Sequence, residues 1–132
     1  NQLKELEAKD FDGKILIISE VWCGDASATV PALVKFFENR NEVRIFLRDS
    51  DKSLINQFLT NGTESIPKVI ILDKDLNVKN SWGPRPKYGY ELLMKYKADP
   101  EAYPKDMFYN DLQIYYAKNR GKDAVQEILD LL

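Results

Sequence analysis

KILIISEVWCGDASATVPALVKFFE, residues 14–38, decides the fold class. Its first six residues are a continuous apolar run entered from a break at Gly13, the pattern of a strand buried on both faces and so central in its sheet. Residues 28–38 then change period: Val30, Leu33, Val34 and Phe37 fall on one side of a helix, Lys35 and Glu38 on the other. Working outward, Val43, Ile45 and Leu47 alternate with Arg44, Phe46 and Arg48 as a second strand. A βαβ unit of this size implies a parallel pair joined by a right-handed crossover.

Further along, Ser50 or Asp51 is placed to cap a short helix carrying Leu54, Ile55, Phe58 and Leu59, and Asn61-Gly62 ends it. Pro67 opens another apolar run at residues 69–72, the polar stretch 73–77 turns the chain, and residues 78–82 return antiparallel as a hairpin. Gly83-Pro84-Arg85-Pro86 breaks the pattern, and residues 88–97 read as a helix closing the sheet. After Pro100 and a Tyr103-Pro104 break come a helical stretch at 105–119, Gly121, and an amphipathic run at 123–132. Met107, Phe108, Leu112, Tyr115 and Tyr116 sit mostly at helical spacing and read as packing surface. The expected organisation is an α/β domain at residues 1–98, with residues 99–132 a helical extension packed on it, too short to hold a core of its own.

A chain of 132 residues with 44% hydrophobic content suits one core. A net charge of −2 and a pI near 5.2 argue against nucleic-acid and anionic-membrane partners, which want a concentrated basic surface. No stretch is long enough to span a bilayer. The single cysteine excludes an internal disulfide framework, and a cysteine-poor chain without a visible signal peptide fits a reducing compartment such as the cytoplasm. Histidine is absent, Cys23 has no companion ligand and no Gly-rich phosphate loop occurs, which disfavours metal and nucleotide chemistry.

Cys23 follows the central strand and precedes the first long helix. There the positive end of the helix dipole and free backbone N–H groups stabilise a thiolate, lowering its pKa from about 8.5 into roughly the 3.5 to 7.5 range. Asp25 opposes this as a neighbouring negative charge, weakened by solvent exposure. The alternative fate of such a cysteine is a small buried hydrophobe. Trp22 either covers the thiol or wedges between helix and loop, and spacing leaves Pro67 open between a strand-entry residue and a cis proline. Arg48 and Asp49 read as a solvated pair or helix lead-in, while residues 82–86 read as a turn docking the tail, with Arg85 also a candidate reader of an anionic ligand.

Trp22-Cys23-Gly24-Asp25-Ala26, after a strand and opening a helix, resembles the Trp-Cys-x-x-Cys motif of thioredoxins. Pro31 stands where that family keeps a kinking helix proline, and Ile66-Pro67 where it keeps a cis proline. The chain looks most like a bacterial subgroup with Leu-Arg-Asp (Leu47 to Asp49), Ser-Ile-Pro-Lys (Ser65 to Lys68) and Trp-Gly-Pro-Arg-Pro (Trp82 to Pro86). The resemblance implies a thioredoxin fold, a central mixed β-sheet flanked by helices, over residues 14–97, with the C-terminal helices added. It implies Cys23 as the catalytic residue and Trp22, Gly24, Asp25, Ala26, Ile66 and Pro67 as the substrate surface. A cis Pro67 would leave backbone polar groups for an extended substrate segment, and Lys68, replacing a small residue, would tune substrate charge. Two departures bear on mechanism. Ala26 replaces the resolving cysteine, and Ile17 stands six residues before Cys23, where thioredoxins keep a buried carboxylate that helps deprotonate it.

The expected activity is therefore that of a monothiol thiol-disulfide protein, Cys23 forming a mixed disulfide or glutathione adduct that an external thiol resolves. Its partners would be protein disulfides or low-molecular-weight thiols, with glutathione a possible co-substrate and no cofactor; the oligomeric state stays open. The alternative is a non-catalytic thioredoxin-fold binding module. Iron-sulfur carriage ranks third, because Trp22 and Asp25 depart from the Cys-Gly-Phe-Ser motif of monothiol glutaredoxins.

Overall fold

The computed structural model describes residues 1–20 and 24–132. In chain order the elements are α1 (Gln2–Lys9), β1 (Lys14–Ser19), α2 (Gly24–Phe37), β2 (Val43–Leu47), a 3-10 turn (Arg48–Ser50), α3 (Lys52–Ile55), β3 (Lys68–Leu72), β4 (Val78–Trp82), α4 (Lys87–Ala98), α5 (Lys105–Asn119) and α6 (Lys122–Leu129). The four strands lie in the order β2-β1-β3-β4, so the apolar run at 14–19 is central. Its pairing with β2 is parallel, with Ile17 opposite Ile45. Its pairing with β3 is antiparallel, with Ile17 opposite Val69, and β3 and β4 form the antiparallel hairpin.

Strand alternation sends two sets of side chains to opposite faces. On one, Ile15, Ile17, Val69 and Ile71 pack with Leu33 and Phe37 of α2, Leu6 of α1, and Ala124, Val125, Ile128 and Leu129 of α6. On the other, Ile18, Ile66 and Ile70 meet Ile55. A third cluster, Leu92, Tyr103, Phe108, Leu112 and Tyr116, joins α4 to α5. The C-terminal extension thus contributes α6 directly to the main core.

Three boundaries depart from the sequence reading. α1 had no signal in the apolar pattern, since Leu6 is its one buried residue; an Asn1 side chain accepting the Lys4 N–H starts it. α2 begins at Gly24, four residues before residue 28, where the apolar stripe starts. α3 is capped by Asp51, whose carboxylate accepts the Ser53 N–H, but ends at Ile55 and does not reach Gly62. The Gln57 and Phe58 N–H groups turn to the carbonyls of Leu54 and Ile55, tightening the chain out of the α-helix.

Candidate functional site

Trp22 and Cys23 lie outside the described residues. The other residues of the motif and its surroundings converge from three parts of the chain: the first turn of α2, the Ile66-Pro67 entry to β3, and the turn from Trp82 to Pro86. Gly24 is exposed, and Ala26 is buried at 4% exposure. Ile66 and Pro67 are buried, and their peptide bond is cis, as is Gly83-Pro84.

Asp25 is where the structure corrects the sequence reading. Its side chain is 15% exposed, so solvent is not what moderates its charge. Arg85 Nη2 donates to Oδ2 at 3.0 Å, and the Tyr116 hydroxyl donates to Oδ1. Both carboxylate oxygens are thereby engaged, one by a full positive charge. Burial works against the charged guanidinium of Arg85, but the Asp25 hydrogen bond and charge outweigh it and hold its pKa above the ordinary value. Burial first, then the Asp25 charge and hydrogen bond, push the Tyr116 phenol well above the ordinary tyrosine range. Arg85 is therefore committed within the protein as Asp25's counterion.

The turn bearing Arg85 is fixed from both sides. Gly83 adopts φ +128, and a Cβ there would stand 2.2 Å from the Pro67 carbonyl oxygen, so this position requires glycine both for conformation and for close approach. The Tyr90 hydroxyl donates to the Gly83 carbonyl at 3.1 Å. Glu127 of α6 accepts the Trp82 indole N–H and the Lys87 backbone N–H, each at 2.9 Å. The second bond caps α4, whose N-cap residue, Pro86, offers no side-chain acceptor. Docking of the tail by this turn, one of the two sequence readings, is thus realised through Glu127.

Arg48 and Asp49 do pair, Asp49 at 43% and Arg48 at 16% exposure, and they lie in the 3-10 turn that leads into α3, as the helix lead-in reading has it. Arg48 bonds Asp49 at 2.9 Å and donates Nη1 to the Glu64 carbonyl at 3.0 Å, tying the end of β2 to the loop before Pro67. Glu20, at the end of β1, accepts the Asp49 N–H. Lys68 is buried with its ammonium on the Thr60 hydroxyl at 3.2 Å, and burial lowers its pKa.

Ile17 is fully buried in the main core beside Val69, so the position that a resolving step would equip with a carboxylate is apolar. Among the described residues no group of three His, Cys, Asp or Glu side chains is placed to hold a metal ion, and no helix is long and apolar enough to cross a membrane. Neither the Tyr116 hydroxyl nor Glu127 is marked as part of the site by the sequence. The helical spacing marks Tyr116 as packing surface, which it is at 8% exposure, but says nothing of where its hydroxyl lands.

The fold is shared with solved structures. A Pseudomonas aeruginosa protein of unknown function, PA1234, is similar with a TM-score of 0.71 at 20% identity, covering 98% of this chain and 70% of that one. An HIV 4E10 epitope-scaffold is similar with a TM-score of 0.70 at 19% identity, covering 98% and 71%. No curated protein matches the chain. A thioredoxin family profile matches residues 1–99, which takes in the sheet, the α2 motif, the cis-proline entry and the Arg85 turn: the chain belongs to the thioredoxin family.

Proposed function

We propose that this chain is a one-thiol redox protein in which Cys23 reacts and a thiol from outside completes the turnover. The observation that carries the reading is Ala26: buried on the first turn of α2, in a chain with one cysteine, it leaves the protein no second thiol. Family membership supports thiol redox chemistry, and the apolar Ile17 agrees with a site that never deprotonates a resolving thiol. The reaction would run in two exchanges. The Cys23 thiolate attacks one sulfur of a disulfide, forming Cys23–S–S–R and releasing the other half as a thiolate. An external thiolate such as glutathione then attacks the mixed disulfide, forming its own disulfide with R and returning Cys23 as thiolate. No cofactor enters either step, and a reducing compartment such as the cytoplasm would supply the second thiol.

Incubating the reduced protein with oxidised glutathione and weighing it intact tests the reading. One glutathionyl group on Cys23 under native conditions, removed by added reduced glutathione, is the expected result. No adduct on the folded protein would overturn it.

A second reading, a non-catalytic binding module, is favoured by one feature. Ile45 and Leu47 stand 53% and 45% exposed on the edge strand β2, and with Val30 and Pro31 they line a hollow of about 200 Å³ beside the start of α2. Full retention of partner binding and cellular function by C23S would favour this reading.

A further inference from the structure

A cleft of about 930 Å³ lies remote from the motif, where the corner between α5 and α6 rides on the second half of α2 beside the start of α1. That lies within the roughly 300 to 1,000 Å³ of small-molecule sites. The corner is a built feature. Arg120 and Gly121 are successive left-handed residues, at φ 55 and φ 79, which turn the chain from α5 into α6. A Cβ on Gly121 would lie 2.4 Å from the Ala32 Cβ, so glycine alone lets the corner seat this closely on α2. Gln2 Nε2 donates to the Lys122 carbonyl at 2.8 Å and closes the α1 side.

Its chemistry is one-sided. Lys35, Arg40, Lys118, Arg120 and Lys122 line the cleft, and no aspartate or glutamate does. Acidic residues outnumber basic ones by 21 to 19 in the chain, so this concentration of cations runs against the average. Arg40 has a loose partner in Glu7 at 3.8 Å, both well exposed, and among the described residues the other four form no ion pair. Helix C-termini favour Lys35 and Lys118 where they stand, but Lys122 opens α6 at its positive end, where the dipole opposes a cation. Beneath the charges the wall is apolar: Phe36 and Val125 lie below, and Leu3 stands 54% exposed at the mouth. A concave site of one sign over an apolar floor concentrates ligands that carry the opposite charge on a hydrophobic body.

We infer that this cleft binds an amphipathic carboxylate, a small molecule with an apolar chain or ring resting on Phe36 and Val125 and its carboxylate among the lysines and arginines of the rim. The site is independent of Cys23 chemistry.

Titrating dodecanoate, below its micelle-forming concentration, into the ¹⁵N-labelled protein tests this. Saturable shifts centred on Ala32, Phe36 and Gly121 are expected, weakening with added salt. The double variant K35E/K118E, with its fold checked by circular dichroism, should bind at least tenfold more weakly; if it does not fold, K118E alone should bind at least threefold more weakly. Four results overturn the inference: no saturable shift, equal binding of dodecyltrimethylammonium, binding of an acidic helical peptide but not of dodecanoate, or self-association of the chain that covers Phe36.

Discussion

Arg85 and Asp25 are 60 residues apart in sequence and form a 3.0 Å ion pair that joins the turn after β4 to the first turn of α2. With Tyr116 on the other carboxylate oxygen, the motif-bearing helix is anchored to both the family domain and the C-terminal extension. The negative charge two positions after Cys23 is thereby compensated inside the protein, not by water.

Arg85→Met should cost about 2 to 3 kcal/mol in urea unfolding, somewhat below the range for breaking a fully buried pair, because both side chains keep some water contact. Arg85→Lys should recover little, since an ammonium lacks the guanidinium's planar fork. Asp25→Asn with Arg85→Met should cost less than the sum of the two single changes, the mark of a shared interaction. Additive losses would show that the pair contributes nothing as a pair.

Gly83→Ala should destabilise by more than 2 kcal/mol or prevent folding, since the new methyl meets the Pro67 carbonyl and φ +128 penalises any side chain. Gly24→Ala is the contrast, with open space around its Cβ position and a helical site that favours alanine over glycine by up to about 1 kcal/mol. Thermal melts of the two variants should move in opposite directions.

The difference between what the sequence discloses and what it hides follows from range. The strands at 14–19 and 68–72 are legible because their apolar runs are local and the sheet buries them, whereas the alternation at 43–47 marks an edge strand whose Ile45 and Leu47 stay exposed. The end of α3 is set by turn geometry that the hydrophobic period does not carry. In the candidate site, Asp25 and Arg85 each stand in a recognisable motif, but only the packing of α4 and α5 brings them together and adds Tyr116. Glu127 is one acid among 21 until α6 docks and aims it at Trp82 and the α4 N-terminus.

Tyr103 links stability to alkaline pH. Burial first, then the hydrogen bond it donates to Asp111, push its phenol from 10.0 up to about 12. A raised folded pKa means the stabilisation is fully present below pH 10 and is lost as pH rises toward 12, because the unfolded chain releases its proton first. Chemical denaturation at pH 8, 10 and 12 should show this fall, and Tyr103→Phe should make it shallower, leaving the part due to Tyr115 and Tyr116, while costing about 1 kcal/mol at pH 8 for the lost hydrogen bond. An unchanged slope in the variant would assign the alkaline transition to other groups.

Ala26→Cys restores the missing sulfur three residues after Cys23 and separates the one-thiol chemistry from the rest of the fold. After treatment with oxidised glutathione the parent protein should retain its glutathionyl group, whereas the variant's second thiolate should attack Cys23–S–S–glutathione, expel glutathione and leave an internal disulfide two hydrogens lighter than the reduced protein. Position 26 is 4% exposed and Ile17 supplies no carboxylate to take the new thiol's proton, so burial should keep that thiol's pKa high. Adduct loss should therefore be slow at pH 7 and accelerate toward pH 9. A variant that keeps its adduct as long as the parent at both pH values would show that position 26 is not within reach of a mixed disulfide on Cys23.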